Sequence, residues 1–290
     1  MDQFIQLLFT GLTNGAIYAL VALGFVLIYK STEVINFAQG ELLLVGAYLT
    51  FGLMADFGLA WPLGVLITLV LAAVLGVIIE RLVLRPLIGE PIISVIMVTI
   101  GLSSLLRAFV SGIWGTAPRS FPAFIPSTTL RILGAAVPGD RLVAIGLAVL
   151  LLTALTLFFR RSSDGIAMRA VADDQQAALS MGISVKRIFA IAWSIAAVTA
   201  AIAGILVANI VGVSGAVSGI GLRVFPVVIL GGLDSIPGAI VGGVIIGLLE
   251  SFAGGYLTSG LGEVAPFVVL VLILMVRPYG LFGEVRIERV

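Results

Sequence analysis

Four stretches of this chain hold no Asp, Glu, Lys or Arg: residues 3–29, 57–79, 142–159 and 188–222. A helix crosses a bilayer with about 20 apolar residues, so stretches of this length and hydrophobicity belong in lipid. A soluble domain carries roughly a quarter of its residues charged. Here the charged share is 11%, the apolar share 60% and the mean hydropathy +1.24. The expected fold is all-α, a polytopic transmembrane helical bundle forming one domain over residues 1–290.

Cutting the sequence at its charges gives candidate spans at residues 4–28, 36–54, 61–84, 92–111, 142–159, 188–211, 222–233, 239–252 and 257–276. Two of these are doubtful as simple crossings. Residues 222–233 are short, and 36–54 opens with Asn36, Gln39 and Glu41. Irregular or broken segments at membrane depth survive only where they face protein or a cavity, so eight or nine crossings are expected. Met1-Asp2-Gln3-Phe4 lacks the basic start of a secretory leader, so the first run is expected to stay as a span.

Basic residues set the orientation, because short cytoplasmic loops are rich in Lys and Arg. Threading nine spans collects eleven of the sixteen basic residues on one side: Lys30, Arg81, Arg85, Arg160, Arg161, Arg169, Lys186, Arg187, Arg277, Arg286 and Arg289. That side is the expected cytoplasm, with the N-terminus outside, the C-terminus inside and the Pro-rich loop 112–141 outside.

Composition also removes whole classes of function. With no His and no Cys, a zinc, haem or iron–sulfur centre lacks its usual ligands, and no metal site or catalytic residue is expected. A net charge of +1 offers no basic surface to neutralise many phosphates, so no nucleic-acid partner is expected. Glycine is abundant, at 35 residues. The pairs Gly11/Gly15, Gly238/Gly242 and Gly243/Gly247 have the spacing that lets membrane helices approach closely.

The segment between the fifth and sixth candidate spans is longer than the 2–8 residues that commonly join helices. Ser163 or Asp164 is placed to cap a helix start, and Gly182 suits a left-handed stop. Over residues 165–180 a helical period puts Arg169, Asp173, Gln176 and Ser180 on one face and Ile166, Ala170, Ala177 and Met181 on another. Its polar face carries acids as well as bases, which suits a protein groove better than an anionic membrane surface.

Gln176-Ala177-Ala178, followed by Gly182, resembles the Glu-Ala-Ala-x-x-x-Gly loop of ATP-binding-cassette importer membrane subunits, with Gln in place of the acid. More widely, the chain resembles the permeases of branched-chain amino-acid importers. The likeness runs from the Asn14–Leu20 stretch through Asn36-Phe37-Ala38-Gln39-Gly40-Glu41 to the stretch beginning Gly231-Gly232-Leu233-Asp234, and covers nearly the whole chain.

The resemblance implies a multi-pass protein of the bacterial inner membrane. Its implied partners are a second, similar permease, two cytoplasmic ATPase subunits and a periplasmic substrate-binding protein. It implies that residues 165–180 form the coupling helix, with Asp164, Gly165, Arg169, Asp173, Asp174, Gln176, Ala177, Ala178 and Gly182 meeting the ATPase. The chain has no Gly-x-x-x-x-Gly-Lys-Ser/Thr loop, so no cofactor of its own is expected and ATP is bound by partner subunits.

Ionisable groups inside a membrane are costly and read as functional by default. Glu80 precedes Arg81 near the inner interface and is expected in a snorkelling ion pair, while Glu250 lies near the outer end of its span, within reach of water. Glu41, after Asn36, Gln39 and Gly40, is the sharper case. These four, with Asn14, Gly231 and Gly232, are the expected translocation path. Alternatives are an importer permease for urea, an amide or a sugar, and an ion-coupled secondary transporter. An intramembrane enzyme ranks last, since Lys30 and Lys186 are both interfacial and no two Asp residues meet within spans.

Overall fold

The computed structural model describes residues 2–132 and 134–283. The chain runs as α1 (Asp2–Thr32), α2 (Gln39–Phe51), α3 (Trp61–Ile79), α4 (Ile92–Trp114), β1 (Thr129–Ile132), β2 (Ala135–Pro138), α5 (Gly139–Arg161), α6 (Ser163–Asp173), α7 (Gln175–Ser180), α8 (Val185–Val211), α9 (Ile220–Gly231), α10 (Ile236–Tyr256) and α11 (Ser259–Val276). Among the described residues, seven helices have the length and hydrophobicity to cross a membrane: α1, α3 with its extension to Leu87, α4, α5, α8, α10 and α11.

Close packing replaces the hydrophobic drive that lipid does not supply between helices. Helix α1 is the axis and lies antiparallel to α10, joined at their glycines. A methyl group on Gly15 would fall 2.8 Å from Gly243 O, and one on Gly11 would fall 3.0 Å from Gly247 O. On its other flank α1 meets α8, whose alanines Ala192, Ala196, Ala197, Ala200 and Ala203 are all buried. By contrast, α3, α4, α5 and α11 bury only a stripe each and leave Leu66, Val70, Leu105, Phe109, Leu150 and Leu272 exposed.

The bundle has two ends. At one end Gln3 reaches Gly255 O, Arg141 donates to Thr10, and Trp61 stacks on Phe124 at 5.0 Å. At the other, Lys30, Arg160, Arg169 and Asp234 line one pocket, while Thr32, Glu80 and Gln175 line another. The basic segment 160–187 therefore lies opposite the loop 112–141, as the charge pattern predicts. A short antiparallel hairpin, β1 with β2, sits in that loop with Thr129 facing Pro138. It departs from the all-α expectation. Arg286 and Arg289, counted in the basic tail, lie outside the described residues.

The two doubtful spans are the short helices. From Gln39 near Ala196, midway along α8, α2 runs toward the Trp114 end and continues through a π-helical turn, Gly52–Asp56. Helix α9 begins beside Gly40 and runs the opposite way, ending at Gly231 beside Gly238. Their N-termini meet in the middle of the bundle. Each is preceded by a non-α stretch, residues 33–38 for α2 and residues 212–219 for α9.

Candidate functional site

Where α2 begins, the backbone leaves the helix at Glu33, whose φ is +57°, and re-forms at Gln39. The polar residues expected to line a path hold this break together. Asn36 Oδ1 accepts from Ala38 N at 3.0 Å, Asn36 Nδ2 donates to Gln39 Oε1 at 3.0 Å, and Gln39 Nε2 donates to Ala196 O at 3.3 Å. Both side chains are buried. Thr99 of α4 accepts from Phe37 N and donates to Ile35 O. Buried backbone groups freed by a break must find such partners: Asn36 accepts from Ala38 N, and Gln39 ties the break to α8.

In the first turn of α2, Glu41 is buried. Its Oε1 accepts from Arg107 Nη2 at 2.5 Å, Arg107 Nε at 3.2 Å and Ser103 Oγ at 3.2 Å. Arg107 Nη2 also donates to Ser218 Oγ at 3.1 Å, on the irregular stretch before α9. Glu41 Oε2 is buried with no hydrogen-bond partner among the described residues, an arrangement that costs on the order of 1–3 kcal/mol or more for a charged group. The Arg107 side chain is 57% exposed on the outer face of α4. Arg107 lies about 10 Å from the Trp114 end of its helix at 1.5 Å per residue, well inside the apolar span. At the centre of a span an Arg facing lipid costs about 2.5–3.5 kcal/mol, a cost that falls near a span end where the side chain reaches the interface.

A second charged cluster lies across α9. Glu250 of α10 accepts from Tyr18 Oη at 2.5 Å and from Arg223 Nη1 at 2.5 Å, and Arg223 Nη2 reaches Glu263 at 3.5 Å. This corrects the expectation that Glu250 reaches water: its side chain is only 11% exposed, because α9 brings Arg223 over it. Glu80 is fully buried and bonds Arg85 twice, at 3.0 and 2.7 Å. An ion pair was expected there, but the turn Glu80–Leu84 is π-helical and brings up Arg85, not the neighbouring Arg81.

The segment expected to be one coupling helix is two. Ser162, not Ser163 or Asp164, caps α6 by accepting from Gly165 N at 2.9 Å. Asp174 is extended and breaks the run, then caps α7 by accepting from Gln176 N at 2.8 Å and Ala177 N at 2.9 Å. The short carboxylate competes with the helix for backbone donors, which is why it starts helices better than it continues them. Asp164 pairs with Arg187 at 3.1 Å, Gly165 packs on Phe158 and Phe159, and Arg169 donates to Phe159 O. Those three tie the segment to α5 and α8.

Ala178 is buried within the chain, which corrects its assignment to a partner-facing surface. Asp173, Asp174, Gln176 and Ala177 are exposed. So are Ile166 at 53%, Leu179 at 56% and Met181 at 82%. Gly182 has φ +81°, the left-handed stop expected from the sequence.

The structure gathers Asn36, Gln39, Gly40 and Glu41 at one place. It leaves Asn14, half-buried on α1, and Gly231 and Gly232, at the far end of α9, outside that cluster. Arg107, Ser218, Tyr18 and Arg223 were missed. The signal existed, since Arg107 is the one charge inside residues 92–111 and Arg223 lies inside 222–233.

Residues 7–276 match the family described as "Branched-chain amino acid transport system / permease component". The high-affinity branched-chain amino acid transport system permease protein LivH of Escherichia coli K12 is 33% identical over 99% of this chain and 98% of its own length. BraD of Pseudomonas aeruginosa, of the same description, is 32% identical over the same shares. A probable LivH from Methanocaldococcus jannaschii is 31% identical over 91% of this chain and 88% of its own. Among solved structures, PsaBC from Streptococcus pneumoniae in complex with Fab superposes with a TM-score of 0.53 at 14% identity, over 96% of this chain and 93% of that one. This last likeness is one of fold.

Proposed function

This chain belongs to the family of permease components of branched-chain amino acid transport systems, and from that premise we propose that it is the translocating membrane subunit of an ATP-driven importer of branched-chain amino acids. The observation that carries the coupling half of this reading is the α6–α7 knob. It is tied to the bundle by Asp164, Gly165 and Arg169, yet presents Ile166, Leu179 and Met181 outward. Exposed apolar side chains among polar neighbours suit a groove on a cytoplasmic ATPase subunit. Met is the most adaptable of them.

In this reading the Lys30 end of the bundle is cytoplasmic and the N-terminus lies outside. Helices α2 and α9, each with its preceding irregular stretch, complete one crossing apiece. Added to the seven long helices, that makes nine, with the C-terminus inside. Two ATPase subunits, a second permease of the same family and an external substrate-binding protein complete the assembly in the bacterial inner membrane, and ATP is hydrolysed on the partners.

The test is uptake of labelled leucine, ribose and urea into membrane vesicles holding the full complex. Leucine should enter, and only with ATP and binding protein present. Uptake of leucine without either would replace the importer reading by a secondary carrier. Preference for urea or ribose would leave the architecture and remove the substrate.

A further inference from the structure

Two features of the Glu41–Arg107 pair are not explained by structure alone. One carboxylate oxygen takes all three donors, from Arg107 Nε, Arg107 Nη2 and Ser103, while the other is buried and bare. Its guanidinium partner is more than half exposed on a helix long and apolar enough to cross a membrane, where a cation facing lipid is costly. A buried carboxylate is fully satisfied when donors meet both of its oxygens. This pair keeps an open valence of each sign, one facing out of the subunit and one held in reserve.

Resting on the transport reading above, we infer that Glu41 and Arg107 form a station for the zwitterionic head of an α-amino acid. Arg107 takes the substrate carboxylate, which its planar fork matches in a two-bond geometry. Glu41, freed on Oε1 and bare on Oε2, takes the ammonium. Ser103 and Ser218 hold the two side chains in place during the exchange. The exchange trades one ion pair for two, so no lone charge is left at low dielectric, and the zwitterion crosses without carrying its hydration shell. The station reads the amino-acid head and leaves the choice of side chain to the binding protein. Its position where the N-termini of α2 and α9 meet makes opening of that junction the step that admits substrate.

The experiment uses the whole reconstituted complex and a single cysteine, Ser104→Cys, in this cysteine-free chain. Ser104 is exposed on α4, one turn from Arg107. Without binding protein, millimolar leucine should slow thiol labelling at this site. 4-Methylpentanoate, which lacks the ammonium, and isoamylamine, which lacks the carboxylate, should not. In the paired variant Glu41→Leu/Arg107→Leu the protection should vanish and leucine uptake should fall about 10- to 100-fold, the loss expected for hydrogen bonds to charged groups. Assembly of the complex should persist, because replacing both partners leaves no stranded charge. Arg107→Lys should be intermediate. Equal protection by the two analogues, no protection by leucine, or wild-type uptake in the Leu/Leu complex would overturn the station. Failure of the wild-type complex to import leucine would instead sink the transport reading, and the labelling pattern would still decide the site.

Discussion

A methyl group on Gly40 would fall 2.9 Å from Gly221 Cα: the two helices that do not span the bundle touch at their first turns, backbone to backbone. The same methyl would also strike the carbonyl of Ser218. Any side chain at Gly40 must therefore part α2 from α9. Gly40→Val should lower the melting temperature of the detergent-solubilised complex and cost about 1–3 kcal/mol, the range for overpacking a well-filled interior. Gly40→Ala should fall between it and wild type. A Gly40→Val complex with unchanged melting and uptake would show that the junction is slack.

At the α6–α7 knob, proposed to dock on the ATPase, stability and docking should separate. Gly182 sits at φ +81° with open space around it, so Gly182→Val meets backbone strain alone, on the order of 1–3 kcal/mol. That strain should distort the exit from α7 and abolish transport. Met181→Asp changes an almost fully exposed side chain and should leave folding within about 0.5 kcal/mol. It should nonetheless release the ATPase, as should Ala177→Arg. Co-purification of the ATPase with each variant is the measurement. Retention in both surface variants would move the docking face elsewhere.

Sidedness can be read chemically. Ser127 and Ser180 are both exposed and lie at opposite ends of the bundle. As single cysteines in intact cells, Ser127→Cys should react with an impermeant thiol reagent and Ser180→Cys should not. The reverse pattern would invert the proposed orientation.

The Tyr18–Glu250–Arg223 cluster joins α1, α9 and α10. Tyr18→Phe removes a short hydrogen bond donated to Glu250 and a long one accepted from Arg223, and should cost about 1.5–3 kcal/mol. Glu250→Ala leaves Arg223 with only long contacts, 3.4 Å to Tyr18 Oη and 3.5 Å to Glu263. It should therefore cost more, up to about 3–5 kcal/mol for a broken buried pair. Thermal unfolding of the assembled complex in nanodiscs orders the two. A Glu250→Ala effect smaller than that of Tyr18→Phe would mean that the ion pair is not what binds α9 to α10.

Periodicity and charge placement, both local properties, were enough to establish the helical class, the relative sides of residues 112–141 and 160–187, the doubtful status of α2 and α9, and the left-handed Gly182. A charge-free run has one cheap solution in lipid, and a glycine ahead of a new helix has few roles. What the sequence could not contain is who faces whom. Asn36 and Gln39 read as path residues because polar groups in a span demand partners, and only the packing of α2 on α8 shows that Ala196 and the backbone at Ala38 supply them. Arg107 became visible beside Glu41, and Arg223 beside Glu250, once α4 and α9 were in place. These pairs join residues 66 and 27 positions apart. Ion pairs across helices depend on the rotation and depth of each helix, which are set by glycine and alanine contacts along the whole bundle and leave no periodic trace in either partner's own segment.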